Sequence, residues 1–156
     1  MVLTLVSSEV VIKAAYNHWN ASLPAISDVS NLIFCLSLEP LPPIFYGRHA
    51  KDNALGLAGK TRALVVTLLT ATWSNEADDR LVTSTVNSLL SAIKEETRQL
   101  GGLDNFVYLN YAGQFQDPIG SYGVDSVNRL RKVQERVDPE GVFMSQVPGG
   151  YKIPKS

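Results

Sequence analysis

The 156-residue chain carries 14 basic and 15 acidic residues, a net charge of −1, and is 45% hydrophobic and 19% charged. That balance fits one globular domain able to bury a core of its own and excludes a disordered chain; with no lysine- or arginine-rich block it also argues against nucleic acid or an anionic membrane as partner. Cys35 is the only cysteine, which excludes an internal disulfide and a thiolate metal cluster and fits a reducing compartment.

The amino end, MVLTLVSSEVV, lacks the basic start and apolar length of a secretory leader. No apolar run approaches the ~20 residues of a membrane span, so a cytoplasmic protein is expected. Next, SSEVVIKAAYNHWN places a serine N-cap before Glu9, with Val11, Ala14, Ala15 and Trp19 at helical spacing. Asn31 to Pro40 is rich in β-formers and stops at a proline, which predicts a strand. The prolines and glycines of PLPPIFYGRHAKDNALGLAGK deny regular structure to most of that segment, and a loop of such length is commonly functional. Residues 61–73, TRALVVTLLTATW, form an apolar, β-branched run that predicts a central strand buried on both faces.

A long helix is expected to follow. Glu76, Asp78 and Asp79 suit a helix start, Val82, Val86, Leu89, Leu90 and Ile93 recur at three- and four-residue spacing, and Gly101 ends it. Residues 105–112 alternate as a strand would, with Phe106, Tyr108, Asn110 and Ala112 on one face. A last helix is predicted from Tyr122 to Val137, with Val124, Val127, Leu130, Val133 and Val137 inward and Asp138-Pro139 closing it. Together these elements predict an α+β fold, an antiparallel β-sheet covered on one face by helices, in a single domain spanning 1–156.

The aromatic and amide-rich run from Asn105 to Gly123 is where chemistry concentrates. A phenol and a carboxamide, Tyr108 and Asn110, on one strand face can hydrogen-bond a carbonyl oxygen held in an apolar pocket. His49, in YGRHAKDN, is a candidate general acid or base, and its neighbour Arg48 a candidate for an anionic oxygen. Tyr111, Phe106, Trp73 and Gln114 are further candidates for the substrate wall. Two distant histidines and one cysteine do not make a metal set, and Ser121 lacks the spacing of a nucleophile elbow, so neither a metal nor covalent catalysis is expected.

Five strings, NALGL at 53–57, TATWSNEADD at 70–79, YLNYAGQFQDPIGSYG at 108–123, RLRKVQERVDPEGVF at 129–143 and VPGGYK at 147–152, together resemble the carboxyl-terminal part of fungal FAD-linked oxidoreductases of the berberine bridge enzyme-like type. The resemblance implies a substrate-domain sheet that covers a flavin held by an amino-terminal half, with Tyr108, Asn110 and Tyr111 lining the site. The chain contains neither a glycine-rich dinucleotide fingerprint nor a histidine or paired-cysteine flavin tether, so no cofactor is expected in it. The expected function is a cofactor-independent cyclase of fungal secondary metabolism, of Diels–Alder or hetero-Diels–Alder type, acting on a hydrophobic small molecule. The alternatives are a substrate-domain fragment of an FAD-linked oxidoreductase and a non-catalytic binding or dimerisation module. A homodimer is expected under the first and last of these.

Overall fold

The computed structural model describes residues 1–154. Its first element is one that the sequence reading left unassigned: VLTLV forms strand β1, Val2–Val6, and all five residues are buried. Leu3 and Leu5 enter one cluster of buried side chains and Val6 another on the opposite face, as a two-residue period requires.

Helix α1, Glu9–Ser22, buries Val11, Ala14 and Ala15; Ser8 stands at its N-cap in an extended conformation, but its side chain makes no capping bond. Strand β2, Ile33–Leu41, runs one residue past Pro40. An outer strand tolerates a proline whose nitrogen faces the open edge. A five-residue helix, α2 (Pro43–Gly47), interrupts the proline-rich segment. Strand β3, Leu64–Thr72, has Leu64, Val65, Val66 and Thr67 buried in succession, so its first half is covered on both faces as expected.

The two strands flanking β3 pair with it antiparallel, and β1 pairs antiparallel with the two-residue β4, Leu103–Asp104. The strand order is β2-β3-β1-β4. Helix α3, Asp79–Gln99, follows a short turn capped by the Asn75 side chain, which accepts from the Ala77 amide. It ends where Gly101 takes a left-handed φ of +64°. Val82, Val86, Leu89, Leu90 and Ile93 of α3 and Val11 and Ala15 of α1 pack on Leu3, Leu5 and Leu69 of the sheet. Full burial of each such leucine, valine or isoleucine contributes about 1.5–3 kcal/mol, which is what seats both helices on one face of the sheet. The result, among the described residues, is an α+β domain with a four-stranded antiparallel sheet and five helices, none of them long and apolar enough to cross a membrane.

Two sequence expectations are corrected. Residues 105–112 are not a strand: pairing stops at Asp104, and Leu109–Tyr111 is a 3-10 turn. Local acceptors take the amides that a ladder would have used, since Asp104 Oδ1 accepts from the Phe106 amide at 2.9 Å, Ser121 Oγ from that of Val107 at 3.0 Å and the Tyr108 carbonyl from that of Tyr111 at 3.1 Å. Tyr108 and Asn110 therefore do not share a strand face.

Helix α4, Val124–Val137, has the predicted place, yet only Val127 is buried, and Val124, Val133 and Val137 face outward. It touches the second cluster through Leu130 alone. Its end is set by Asp138, which is buried and whose carboxylate accepts from the amides of Val142 at 2.8 Å and Phe143 at 3.1 Å, starting α5, Val142–Ser145. Asp138→Ala is expected to cost about 1–2 kcal/mol, the usual loss when such a cap goes, and Asp138→Asn less; thermal melts of the two variants check the order.

Candidate functional site

The face of the sheet away from α1 and α3 carries a second cluster at one end: Val6, Leu64, Tyr46, Leu57, Phe106 and Tyr122, with Leu41, Tyr108 and Leu130 against it. Above this cluster lies a cleft of about 330 Å³. Its floor is Glu39 and Leu41 of β2 and Val66 of β3, which the register places as near neighbours on that face. Phe45, Tyr46, His49, Asn53, Leu55 and Leu57, from α2 and the loop after it, form one wall, and Phe106 and Tyr108 the other. The proline-rich segment is thus part of the cleft. A comparable hollow between α1 and α3, lined by His18, Ala21, Ser84 and Ser88, is more open and lacks such an aromatic wall.

The Asn110 side-chain amide donates to Tyr108 Oη at 3.0 Å, which leaves the Tyr108 hydroxyl proton to point elsewhere. The Tyr111 ring stands edge-on to Tyr108, with ring centres 5.0 Å apart and planes at 88°. Hydrogen bonding to the Glu39 carboxylate, reinforced by its charge, raises the pKa of the Tyr111 hydroxyl. Tyr111, Tyr108 and Asn110 accordingly form one chain of contacts beside the cleft.

Burial pushes the pKa of Tyr46 and Tyr122 up as well, with the charge of Asp104 adding to the first and Tyr108 to the second. Tyr46 is anchored by donating to the Arg62 carbonyl at 2.7 Å. Raised pKa values mean that the folded protein holds these protons more tightly than the unfolded chain does. Their contribution to stability is complete below the ordinary tyrosine pKa of about 10 and is lost as pH rises through the folded values. An absorbance titration of phenolate is expected to show Tyr46, Tyr111 and Tyr122 ionising late, and Tyr46→Phe to remove one late step. Ionisation of every tyrosine in the ordinary range would contradict this picture of the cleft.

Of the residues singled out from sequence, the cleft brings together Phe106, Tyr108 and His49, with Tyr111 and Asn110 attached through their contacts. Phe106 is buried beneath the wall. The His49 ring is largely exposed, and its Nδ1 lies 3.2 Å from Asp52 Oδ2. Trp73 lies elsewhere, donating to Asp79 Oδ1 at 2.7 Å beside a shallow depression at the start of α3. Arg48 and Gln114 are exposed and not among the lining residues.

Sequence reasoning missed Glu39, Tyr46 and Asn53. For Glu39 a signal existed, because a strand whose Phe34 and Leu36 pack on the helix side turns position 39 to the other face. Gln116, one of the amides of the aromatic run, has a structural part: its side chain bonds the Val2 amide at 3.0 Å and the Val2 carbonyl at 2.7 Å, tying the segment to β1. Among the described residues no group of three or more histidines, cysteines or carboxylates could hold a metal ion.

Small-molecule sites in general are mostly apolar clefts with a few convergent polar groups. The relatives are fungal enzymes. The chain is 52% identical over 155 residues to the oligopeptidase PhomG′ of Diaporthe leptostromiformis, covering 98% of itself and 13% of that protein. It is 40% identical over 142 residues to the FAD-dependent monooxygenase drtC of Aspergillus calidoustus, covering 90% of itself and 27% of the relative. With the bifunctional solanapyrone synthase of Alternaria solani the identity is 30% over 106 residues, 68% of this chain and 20% of that one. The chain therefore spans only 13% to 27% of the length of these relatives. No protein-family description matches the chain, and no solved structure matches it.

Proposed function

We propose that the cleft holds an apolar biosynthetic intermediate and promotes its cyclisation, a Diels–Alder or hetero-Diels–Alder addition, by positioning and polarisation. The observation that carries this reading is Tyr108, which lines the cleft and whose hydroxyl accepts from the Asn110 amide, a bond that leaves its proton available to a carbonyl oxygen. The lining is mostly apolar and aromatic, with Leu41, Phe45, Leu55, Leu57, Val66 and Phe106 among it, which suits holding an apolar intermediate. Holding diene and dienophile in reactive geometry supplies up to ~7–11 kcal/mol in the best intramolecular models. A hydrogen bond to the activating carbonyl adds to this as negative charge develops there. The similarity to fungal enzymes, one of them a synthase, supports a biosynthetic role.

Incubating the protein with a conjugated diene tethered to an unsaturated ketone is expected to change the rate and the isomer ratio relative to buffer. Tyr108→Phe is expected to remove about 10²-fold of the acceleration, as loss of one placed donor does. An unchanged isomer ratio across a panel of such substrates would sink the cyclase reading. The homodimer belongs to the same proposal: Val133 and Val137 of α4 and Phe143 of α5 expose an apolar strip for a second copy, and sedimentation showing a monomer at every concentration removes it.

A second reading makes the cleft the substrate side of a flavoenzyme, as the berberine bridge enzyme-like resemblance implies, and the 40% identity to an FAD-dependent monooxygenase supports it. The cleft residues themselves do not fit the whole of FAD. Their lining has neither lysine nor arginine to meet a diphosphate, and the carboxylate of Glu39 would repel one. In this reading the flavin is held by other residues, and co-purification of a yellow complex with a flavin-bearing polypeptide distinguishes it.

A further inference from the structure

Resting on the reading of the cleft as a small-molecule site, we propose that residues 48–55 are a hinged flap beside it and that Arg129 of α4 is the latch, setting how fast a ligand enters and leaves. The flap supplies His49, Asn53 and Leu55 to one wall of the cleft. Ala50 alone is buried within it, so few apolar contacts hold it, which is the condition for a segment that opens locally. Its hydrogen bonds fall into two sets. Internally, the Asp52 amide donates to the His49 carbonyl at 3.0 Å, the Asn53 side-chain amide to the same carbonyl at 2.6 Å, and the Leu55 amide to Asn53 Oδ1 at 2.9 Å. From outside, among the described residues, only Arg129 hydrogen-bonds the flap: Nη1 donates to the carbonyls of Lys51 and Asn53, and Nη2 to that of Asp52.

A segment braced within itself and bonded to the body through one side chain moves as a unit when that side chain lets go. Its two ends suit such a motion. Gly47, on the α2 side, has nothing within 4 Å of where a Cβ would stand, while Gly56, at a φ of +70°, is seated on the Tyr122 backbone and serves as the fixed pivot. Arg129 is solvent-exposed, so water takes over its bonds at modest cost when the flap swings out. A latch of this kind is made in both closed states, empty and occupied, and broken in the open one. Weakening it raises the open population of both by the same factor, so entry and exit speed up together and affinity is unchanged. A side chain that only supports the wall would instead weaken affinity through faster exit.

Stopped-flow fluorescence with N-phenyl-1-naphthylamine, a neutral apolar dye, tests this, and loss of its signal in Phe45→Asp places the dye in the cleft. Arg129→Gln is expected to raise the association and dissociation rates about five- to tenfold each, with the dissociation constant within about twofold of the natural protein's. Arg129→Lys, which keeps the charge but not the fork, should fall between, and it decides the matter should the glutamine variant fail to fold. Lys132→Gln, the loss of an exposed charge on the same helix, should leave both rates unchanged. Amide exchange at Asp52 and Leu55 should stay as slow in Arg129→Gln as in the natural protein, because their acceptors travel with them. Faster dissociation with unchanged association overturns the latch, as do unaltered rates in both Arg129 variants. Faster exchange at those two amides overturns the hinged unit, since the segment then frays. A natural protein that does not bind the dye, or a Phe45→Asp variant that binds it equally well, overturns the cleft reading and the gate with it.

Discussion

Phe106→Ala is expected to lower the unfolding free energy by about 3–5 kcal/mol, the range for truncating a buried phenylalanine, and so to rank among the most destabilising single changes in the chain. Phe106 is 4% exposed, stacks on Tyr122 with ring centres 5.9 Å apart and planes at 22°, and lies in the cluster with Val6, Leu64 and Leu57. Truncation removes the ring from the seam between β1, β3 and the loops above them, and also opens one wall of the cleft. Urea denaturation is the measurement: the midpoint should fall sharply while the slope stays near that of the natural protein. Tyr108→Phe, which removes only a hydroxyl from a half-buried ring, is expected to stay within about 1 kcal/mol. Similar losses for the two variants would mean that Phe106 only lines the cleft, as its place in the sequence suggested, and does not also hold the cluster beneath it together.

That contrast shows what the sequence could and could not disclose. Helix α3 was legible because its period and its end were written in the same stretch, from Val82 to Ile93 and at Gly101. The strand at 64–72 was legible because a run of β-branched and leucine residues this long, without a breaker, has no other comfortable state. β1 was not assigned, although VLTLV closed by two serines is a buried strand in miniature, because five residues are too few for periodicity to separate strand from helix.

The segment 105–112 misled for a different reason. Its alternation is real, but Asp104 and Ser121 bind its first amides and turn the chain out of the sheet. Hydrogen bonds between residues such as Val107 and Ser121 join parts of the chain too distant for a local pattern to register. The same holds for the cleft: Tyr108 and His49 were marked from their chemistry, while Tyr46 became visible only when α2 was set against the Phe106–Tyr111 segment. For α4, a good apolar stripe did not reveal how little of the helix has a surface to pack on.

Gly56→Ala is the other change expected to have a large effect, and it acts on the cleft from behind. Gly56 has a φ of +70°, and a Cβ there would stand 2.2 Å from the Tyr122 carbonyl oxygen and 2.8 Å from its Cα. These are backbone atoms of the turn Gly120–Tyr122, which leads into α4, so no side-chain rotation relieves the clash. The preceding residues are held as well, since the Arg129 guanidinium donates to the carbonyls of Lys51 at 3.1 Å, Asp52 at 3.1 Å and Asn53 at 2.9 Å. Alanine must therefore lift the loop from α4 or distort the turn, and Leu57, 4% exposed, moves with it. Gly59 provides the control: its φ is +81°, but nothing lies within 4 Å of where its Cβ would be. Gly59→Ala should cost about 1–2 kcal/mol, the left-handed strain alone. Gly56→Ala should cost at least about 2 kcal/mol more, with faster amide exchange confined to residues 48–58 and weakened binding of any cleft ligand. Equal destabilisation by the two alanines would show that the loop is not seated on Tyr122, and the cleft would then lose the wall that gives it its shape.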